Sequence, residues 1–319
     1  MPYVQTINGR IHPEQMGVTA MHEHLLWGPY GWEYDPEWLL AMPKVVEKCF
    51  NDLVDYRNEG GMTFVDTSGV GLGRDIELYR MLASASGVHV VASTGFWAQR
   101  GVAPYFQVKD LDYHEELYVR EITVGIGTSG AKAGIIKVGH FRTGITPWEE
   151  MHFRAAARAA KRTGAAVTTH GAEHAERHTE ILLSEGLAPE RIIVGHLDSF
   201  HVADIERDKR LGRRGVWLAY DHATTYRTWS PMHYTTSDEW RADQVKAMVD
   251  AGFANQLIIS ADVNSVSLGW QRSAPYVGKT VVGDLLRLFV PKLRRVLLDE
   301  ELIHRLLVDN PRRVLPIQA

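Results

Sequence analysis

Along the chain, hydrophobic and polar positions alternate between two regimes. Short runs rich in Val, Ile and Ala read as buried strands, and longer stretches with apolar residues three and four apart read as amphipathic helices. An apolar lead-in over residues 17–21 runs into His22-Glu23-His24, the first strand. A loop dense in aromatics follows (Trp27, Tyr30, Trp32, Tyr34, Trp38), and then a helix over 43–59, with Pro43 in its first turn and Gly60-Gly61 at its end. From there strands are expected over 62–66, 88–93, 133–138, 165–169, 191–195, 216–220 and 257–261. The helices between them are expected over 75–86, 111–122, 147–163, 173–185, 202–211 and 238–251, most closed by a glycine, and the last helices over 281–298 and 300–315. Eight strands alternating with helices predict an α/β fold with a parallel sheet, closed as a (β/α)8 TIM barrel. With no linker, repeat or composition break, residues 1–319 are expected to form a single domain. A nucleotide-binding open sheet is the weaker alternative, because no Gly-x-Gly-x-x-Gly follows an early strand.

Composition narrows the field of partners. The net charge is −4 and basic residues are scattered, so there is no footprint for nucleic acid. No apolar run approaches membrane-spanning length, so no membrane partner is expected. The single cysteine, Cys49, precludes an internal disulfide and fits a reducing compartment. Without a signal-peptide pattern at the start, a cytoplasmic location is the expectation.

A barrel of this type carries its chemistry at the C-terminal ends of its strands. Here those ends are unusually rich in metal-binding side chains. The first strand ends in His22 and His24, whose i, i+2 spacing puts both imidazoles on one face. The fourth contains Lys137 within AGIIKVG, the fifth ends at His170, the sixth at His196 and the eighth at Asp262. Nitrogen and oxygen donors converging from separate strands suit a first-row divalent cation. Lys137 is the odd member. A lysine in so apolar a strand must be paired, neutral or chemically modified, and addition of carbon dioxide to the neutral amine would give an anionic carbamate.

Taken in order, His-x-His, the strand-four lysine, the two later histidines and Asp262 resemble the phosphotriesterase family of the amidohydrolase superfamily, which includes the phosphotriesterase-like lactonases. AGIIKVG, TGAAVTTH, RIIVGHLD and DNPRRVL are similar to that family too, so the resemblance runs from about residue 18 to 315. It implies two divalent cations, zinc first and Mn, Co or Fe compatible with the same donors. His22, His24 and Asp262 would hold the more buried cation and His170 and His196 the more exposed one, with N6-carboxylated Lys137 and a hydroxide bridging them. Asp262 would take the proton of the attacking hydroxide. The resemblance further implies hydrolysis of a small-molecule lactone or other carboxylic ester, phosphotriester cleavage as the alternative, and a homodimer.

His222, after the seventh strand, matches the triester-cleaving enzymes, and it is assigned to catalysis and substrate contact. Where those enzymes carry a carboxylate three residues beyond the strand-six histidine, this chain has Ser199, with Asp198 beside it. Trp97 matches an aromatic pocket position. With it, Arg227 and Trp270 are assigned to substrate contact, while Trp27, Trp32, Arg100, Arg142 and Arg272 are further loop candidates. His174 and His178 are expected on a solvated helix face. His12, His89, His114, His152, His201, His233 and His304 are expected in surface or packing roles. A single-metal deaminase, which would leave Lys137 idle, and a non-catalytic metal-stabilised binding protein are the competing classes.

Overall fold

The computed structural model describes residues 1–199, 202–224, 236–268, 276–277 and 281–318, the side chains at 37–40, 276 and 277 apart. The expectations placed on His201, Arg227, His233, Trp270 and Arg272 lie outside these residues.

Eight parallel strands form a (β/α)8 barrel: β1 Val18–Trp27, β2 Gly61–Asp66, β3 His89–Thr94, β4 Ile135–Gly139, β5 Ala166–His170, β6 Ile192–Val194, β7 Trp217–Tyr220 and β8 Leu257–Ile259, each pairing with the next. The ring closes just beyond β8. The Asp262 N–H donates to the His22 carbonyl (3.0 Å) and the His24 N–H to that of Val263 (2.8 Å), after which Asn264–Ser267 pairs in parallel with β1. Glu23, wholly buried, fastens this seam. Its carboxylate accepts from Ser260 Oγ (2.7 Å), Ala261 N–H (2.9 Å) and Val263 N–H (2.8 Å).

Helices α1 Pro36–Asn58, α2 Ile76–Ser86, α3 Leu111–Thr123, α4 Pro147–Thr163, α5 Ala175–Ser184, α6 Ile205–Arg213 and α7 Asp238–Asp250 follow the first seven strands. Side-chain caps start most of them: Asp75, Asp110, Asp204 and Ser237 each accept from the first turn, and Thr146 closes a capping box with Glu149. No described helix is long and apolar enough to cross a membrane.

Several boundaries depart from the sequence expectation. The helix expected from Pro43 begins at Pro36, so Pro43 is internal and leaves one backbone bond unmade. The helix expected from 202 starts at Ile205, because Asp204 serves as its cap. An N-terminal hairpin of Val4–Thr6 and Gly9–Ile11, whose three-residue strands fall below the length that periodicity resolves, was not expected. In the C-terminal helices, π-helical turns at Leu285–Phe289 and Arg305–Asp309 each run into a proline, Pro291 and Pro311. A proline has no N–H to return to the preceding turn, and the wider turn accommodates it.

Inside the barrel, Met21, Val65, Val91, Ile135, Ala166, Ile193, Ala219 and Ile258 form an apolar layer with one residue from every strand. Parity then carries the next interior positions toward the C-terminal mouth. Ile135 faces Ala166, Lys137 faces Thr168, and Gly139 faces His170. On β1 the register slips between Ala20 and Glu23, which changes the parity and turns His22 and His24 inward above Met21.

Candidate metal centre

All six side chains expected to line a metal site meet at the mouth of the barrel. His24 Nε2 lies 3.2 Å from Asp262 Oδ1, and His22, His24 and Asp262 form one group whose donor atoms could hold a cation. Lys137 Nζ sits 2.6 Å from His22 Nε2, and His170 Nδ1 sits 2.7 Å from His196 Nε2. The rings of His22 and His196 are 4.7 Å apart, so the two halves of the cluster are contiguous. His196, His222 and Asp262 make a second candidate group on the other side.

Two of these residues are held in left-handed backbone conformations that L-residues rarely adopt, His196 at φ 62° and Asp262 at φ 48°. Such strain persists only where neighbours over-determine the geometry. At Asp262 the flanking N–H groups of Ala261 and Val263 are tied to Glu23. At His196 the backbone N–H donates to Asp221 Oδ1 at 2.9 Å.

Burial sets the protonation of the cluster. It depresses the Lys137 amine to about 8, against the pull of Asp262, Asp221 and Asp66. Burial, with Lys137 next to it, lowers His22 to about 3, and burial with His196 holds His170 well below its ordinary value. Both histidines are therefore neutral at pH 7, the form in which imidazole binds metal. Burial also opposes a charge on His222, but hydrogen bonds to Asp198 and Asp262 push it up to about 10. Its Nε2 lies 3.5 Å from Asp262 Oδ2, while Nδ1 faces both Asp198 Oδ1 (3.2 Å) and Ser199 Oγ (3.1 Å).

Trp97 sets its ring edge-on to His170, with centroids 5.3 Å apart. Trp27 (6.0 Å) and Phe141 (6.4 Å) flank Trp97, and the Arg100 guanidinium lies 4.9 Å over Phe141. These residues build an aromatic wall beside the cluster. Trp32 packs instead against Gly28, and Arg142 pairs with Glu173 at 3.5 Å. Two glycines allow the close packing beneath the wall. A Cβ at Gly139 would fall 2.7 Å from that of His170, and one at Gly95 would fall 2.0 Å from the Lys137 carbonyl oxygen.

The Phosphotriesterase family sequence model matches residues 2–315. The chain belongs to the phosphotriesterase family. Its relatives span it almost end to end. A phosphotriesterase homology protein of Mycobacterium tuberculosis is 29% identical over 100% of this chain and 99% of its own. An aryldialkylphosphatase of Saccharolobus solfataricus is 27% identical, covering 95% of this chain and 96% of its own. An N-acetyltaurine hydrolase of Danio rerio is 25% identical, with 97% coverage of each. Family membership and the clustered His and Asp donors together make this phosphotriesterase-family chain a metal-dependent hydrolase.

One expectation is overturned. His178 is fully buried, stacked on Phe153 with 5.4 Å between centroids and 3.3 Å from Thr169 Oγ1, and His174 is half-buried, 5.3 Å from the ring of His140. Ala175, His178, Thr179 and Leu182 carry the i, i+3, i+4, i+7 spacing of an inward helix face, so the signal was in the sequence. His114 and His152 pack around Phe96, whereas His12 and His304 are exposed. Sequence reasoning missed Glu23, Asp66 and Asp221, buried carboxylates beside the site. Asp221 had a legible signal, an acidic residue at the end of a strand next to His222. Glu23 and Asp66 act through backbone N–H groups, which no side-chain motif encodes.

Proposed function

We propose that the protein hydrolyses a lactone or other carboxylic ester at a binuclear centre. In this reading His22, His24 and Asp262 hold one divalent cation, His170 and His196 the other, and carboxylated Lys137 joins them. The observation that carries it is the position of Lys137, a buried amine between the two histidine sets with an imidazole as its nearest partner. The donors fit two cations: five imidazole or carboxylate side chains converge, and their facing nitrogens have mainly one another as partners. Carbamate formation needs the neutral amine, which joins to carbon dioxide and gives up one proton. Burial, by holding the amine near 8, brings that form within reach at neutral pH.

Zinc is the first candidate, with Mn, Co and Fe compatible with the same N and O donors. When bound, such cations lower the pKa of water and polarise the oxygen under attack. The chain's own residues do the rest. Asp262 accepts a proton at its carboxylate, and the protonated His222 ring faces Oδ2 with its Nε2–H and stabilises that carboxylate, while Asp198 and Ser199 hold the far side of the ring. Trp97 and Trp27 orient the substrate beside His170.

Phosphotriester cleavage is the second reading. It is favoured by His222 at the end of β7 and by the aryldialkylphosphatase among the relatives. The N-acetyltaurine hydrolases add amides to the compounds worth testing. The experiment is proton release from a panel of lactones, acyl esters, N-acyl amines and one aryl phosphotriester, with protein assembled in divalent metal and bicarbonate and Lys137→Ala alongside. Fastest turnover of a lactone or ester, abolished in the variant, is the expected result. Preference for the phosphotriester would select the second reading, and equal rates for variant and wild type would refute both.

A further inference from the structure

Asp221 lies at the C-terminal end of β7, with no exposed surface. Its Oδ1 accepts two hydrogen bonds from one residue, the backbone N–H and the ring Nδ1 of His196, both at 2.9 Å. Its Oδ2 lies 3.1 Å from Nδ1 of His22, within ion-pair distance, and among the described residues neither of those two atoms makes a hydrogen bond. The carboxylate is itself anchored, because the Asp221 N–H donates to Asp198 Oδ1 at 3.1 Å. One carboxylate therefore addresses the same ring atom of two histidines that come from β1 and from the end of β6.

In imidazole the two nitrogens sit on opposite sides of the ring. An Nδ1 that donates to a carboxylate leaves Nε2 as the lone-pair donor and fixes where it points. For His22 that direction leads to Lys137, and for His196 it leads to His170, the two positions that the binuclear reading assigns to different cations. The same oxygen that orients the His196 ring also holds its strained backbone, so ring and main chain cannot reorient separately.

We propose that Asp221 is a positioning residue shared by both halves of the metal centre, and that it couples their occupancy. A cation at either half fixes one ring against Asp221, which fixes the carboxylate and thereby the other ring. This inference rests on the binuclear reading. It also sets Asp221 apart from a ligand, since both of its oxygens meet the ring edges remote from Nε2.

The test is metal retention in Asp221→Asn, measured by elemental analysis during titration with a chelator, with the visible spectrum of the Co(II)-loaded protein as a second readout. An asparagine amide keeps one acceptor oxygen and turns a donor toward the second ring, which must then present a protonated Nε2 to its cation. The wild type is expected to retain two ions per chain and to lose them in one transition. The variant is expected to show two transitions, with one ion roughly 10- to 100-fold weaker and its Co(II) band altered. A folded variant that loses two ions together, as the wild type does, overturns the inference while leaving the binuclear reading intact. A wild type that retains fewer than two overturns the reading and the inference together. Should Asp221→Asn fail to fold, nitrogen-15 NMR of histidine-labelled, metal-free wild type decides. Nδ1–H tautomers at both His22 and His196 support the inference, and an Nε2–H tautomer at either refutes it.

Discussion

Gly95 follows β3 with φ 92°, and a Cβ placed there would lie 2.0 Å from the carbonyl oxygen of Lys137. Replacing it with alanine asks two things of the barrel at once. An L-residue in that backbone region costs roughly 1–2 kcal/mol. The clash costs about 1–3 kcal/mol more, because the obstructing atom is main chain within β4 and cannot swing aside as a flexible side chain would. Alanine narrows the unfolded ensemble and returns about 0.4–1 kcal/mol, so Gly95→Ala should lose about 2–4 kcal/mol. For 319 residues at about 2.1 cal/mol/K each, the unfolding entropy is near 0.7 kcal/mol/K, and Tm should fall by roughly 3–6 °C. Differential scanning calorimetry on metal-free protein reads this directly, without the contribution of bound ions. The displaced strand carries Lys137, so under the proposed binuclear reading hydrolytic activity should fall further than stability alone accounts for. A Tm within a degree of wild type would refute the steric argument.

Three other outcomes follow from the same structure. Arg74 and Glu121 form a buried two-pronged ion pair at 2.7 and 2.8 Å, and Glu121→Gln, which leaves the guanidinium without its counter-charge, should cost about 3–5 kcal/mol in urea denaturation; a loss under about 1 kcal/mol would count against it. Burial lowers His152 from 6.5 to about 3, so it stays neutral in the fold while the unfolded chain protonates; its contribution is present above pH 6.5 and is lost as pH falls toward 3, about 2 kcal/mol of it by pH 5. Stability profiles of wild type and His152→Gln should converge with acidification across that window, and parallel profiles would contradict the assignment. Trp97→Ala removes the ring set against His170 and should raise KM roughly 2- to 13-fold with metal content unchanged; loss of metal instead would mean that the ring supports the cluster rather than the substrate.

What could be read from the sequence follows from how each group is encoded. Buried parallel strands are apolar runs that end abruptly in a polar residue, so β4 and β5 announced both themselves and Lys137 and His170. His22, His24, His196 and Asp262 were legible for the same reason. The groups that support them were not, because Glu23 and Asp66 recognise backbone N–H groups, and any strand could supply those. His178 was misjudged because a polar side chain was read as exposed without weighing the inward spacing of its helix. The seam at Asn264–Ser267 escaped notice because the chain leaves β8 through a left-handed Asp262, a bend that periodicity does not register.

That seam also fixes when the centre comes into being. His22 leaves the ribosome 240 residues before Asp262, the partner it meets across the ring closure. At about 5–20 residues per second, the interval is on the order of 10–50 s. Throughout it the first strand has neither Ser260 nor Val263 to pair with, and His24 has no Asp262 opposite it. A nascent chain halted before residue 260 therefore lacks both the closed barrel and one member of the His22, His24 and Asp262 group that could hold a cation. Closure of the ring and completion of that group are a single late event in the protein's synthesis.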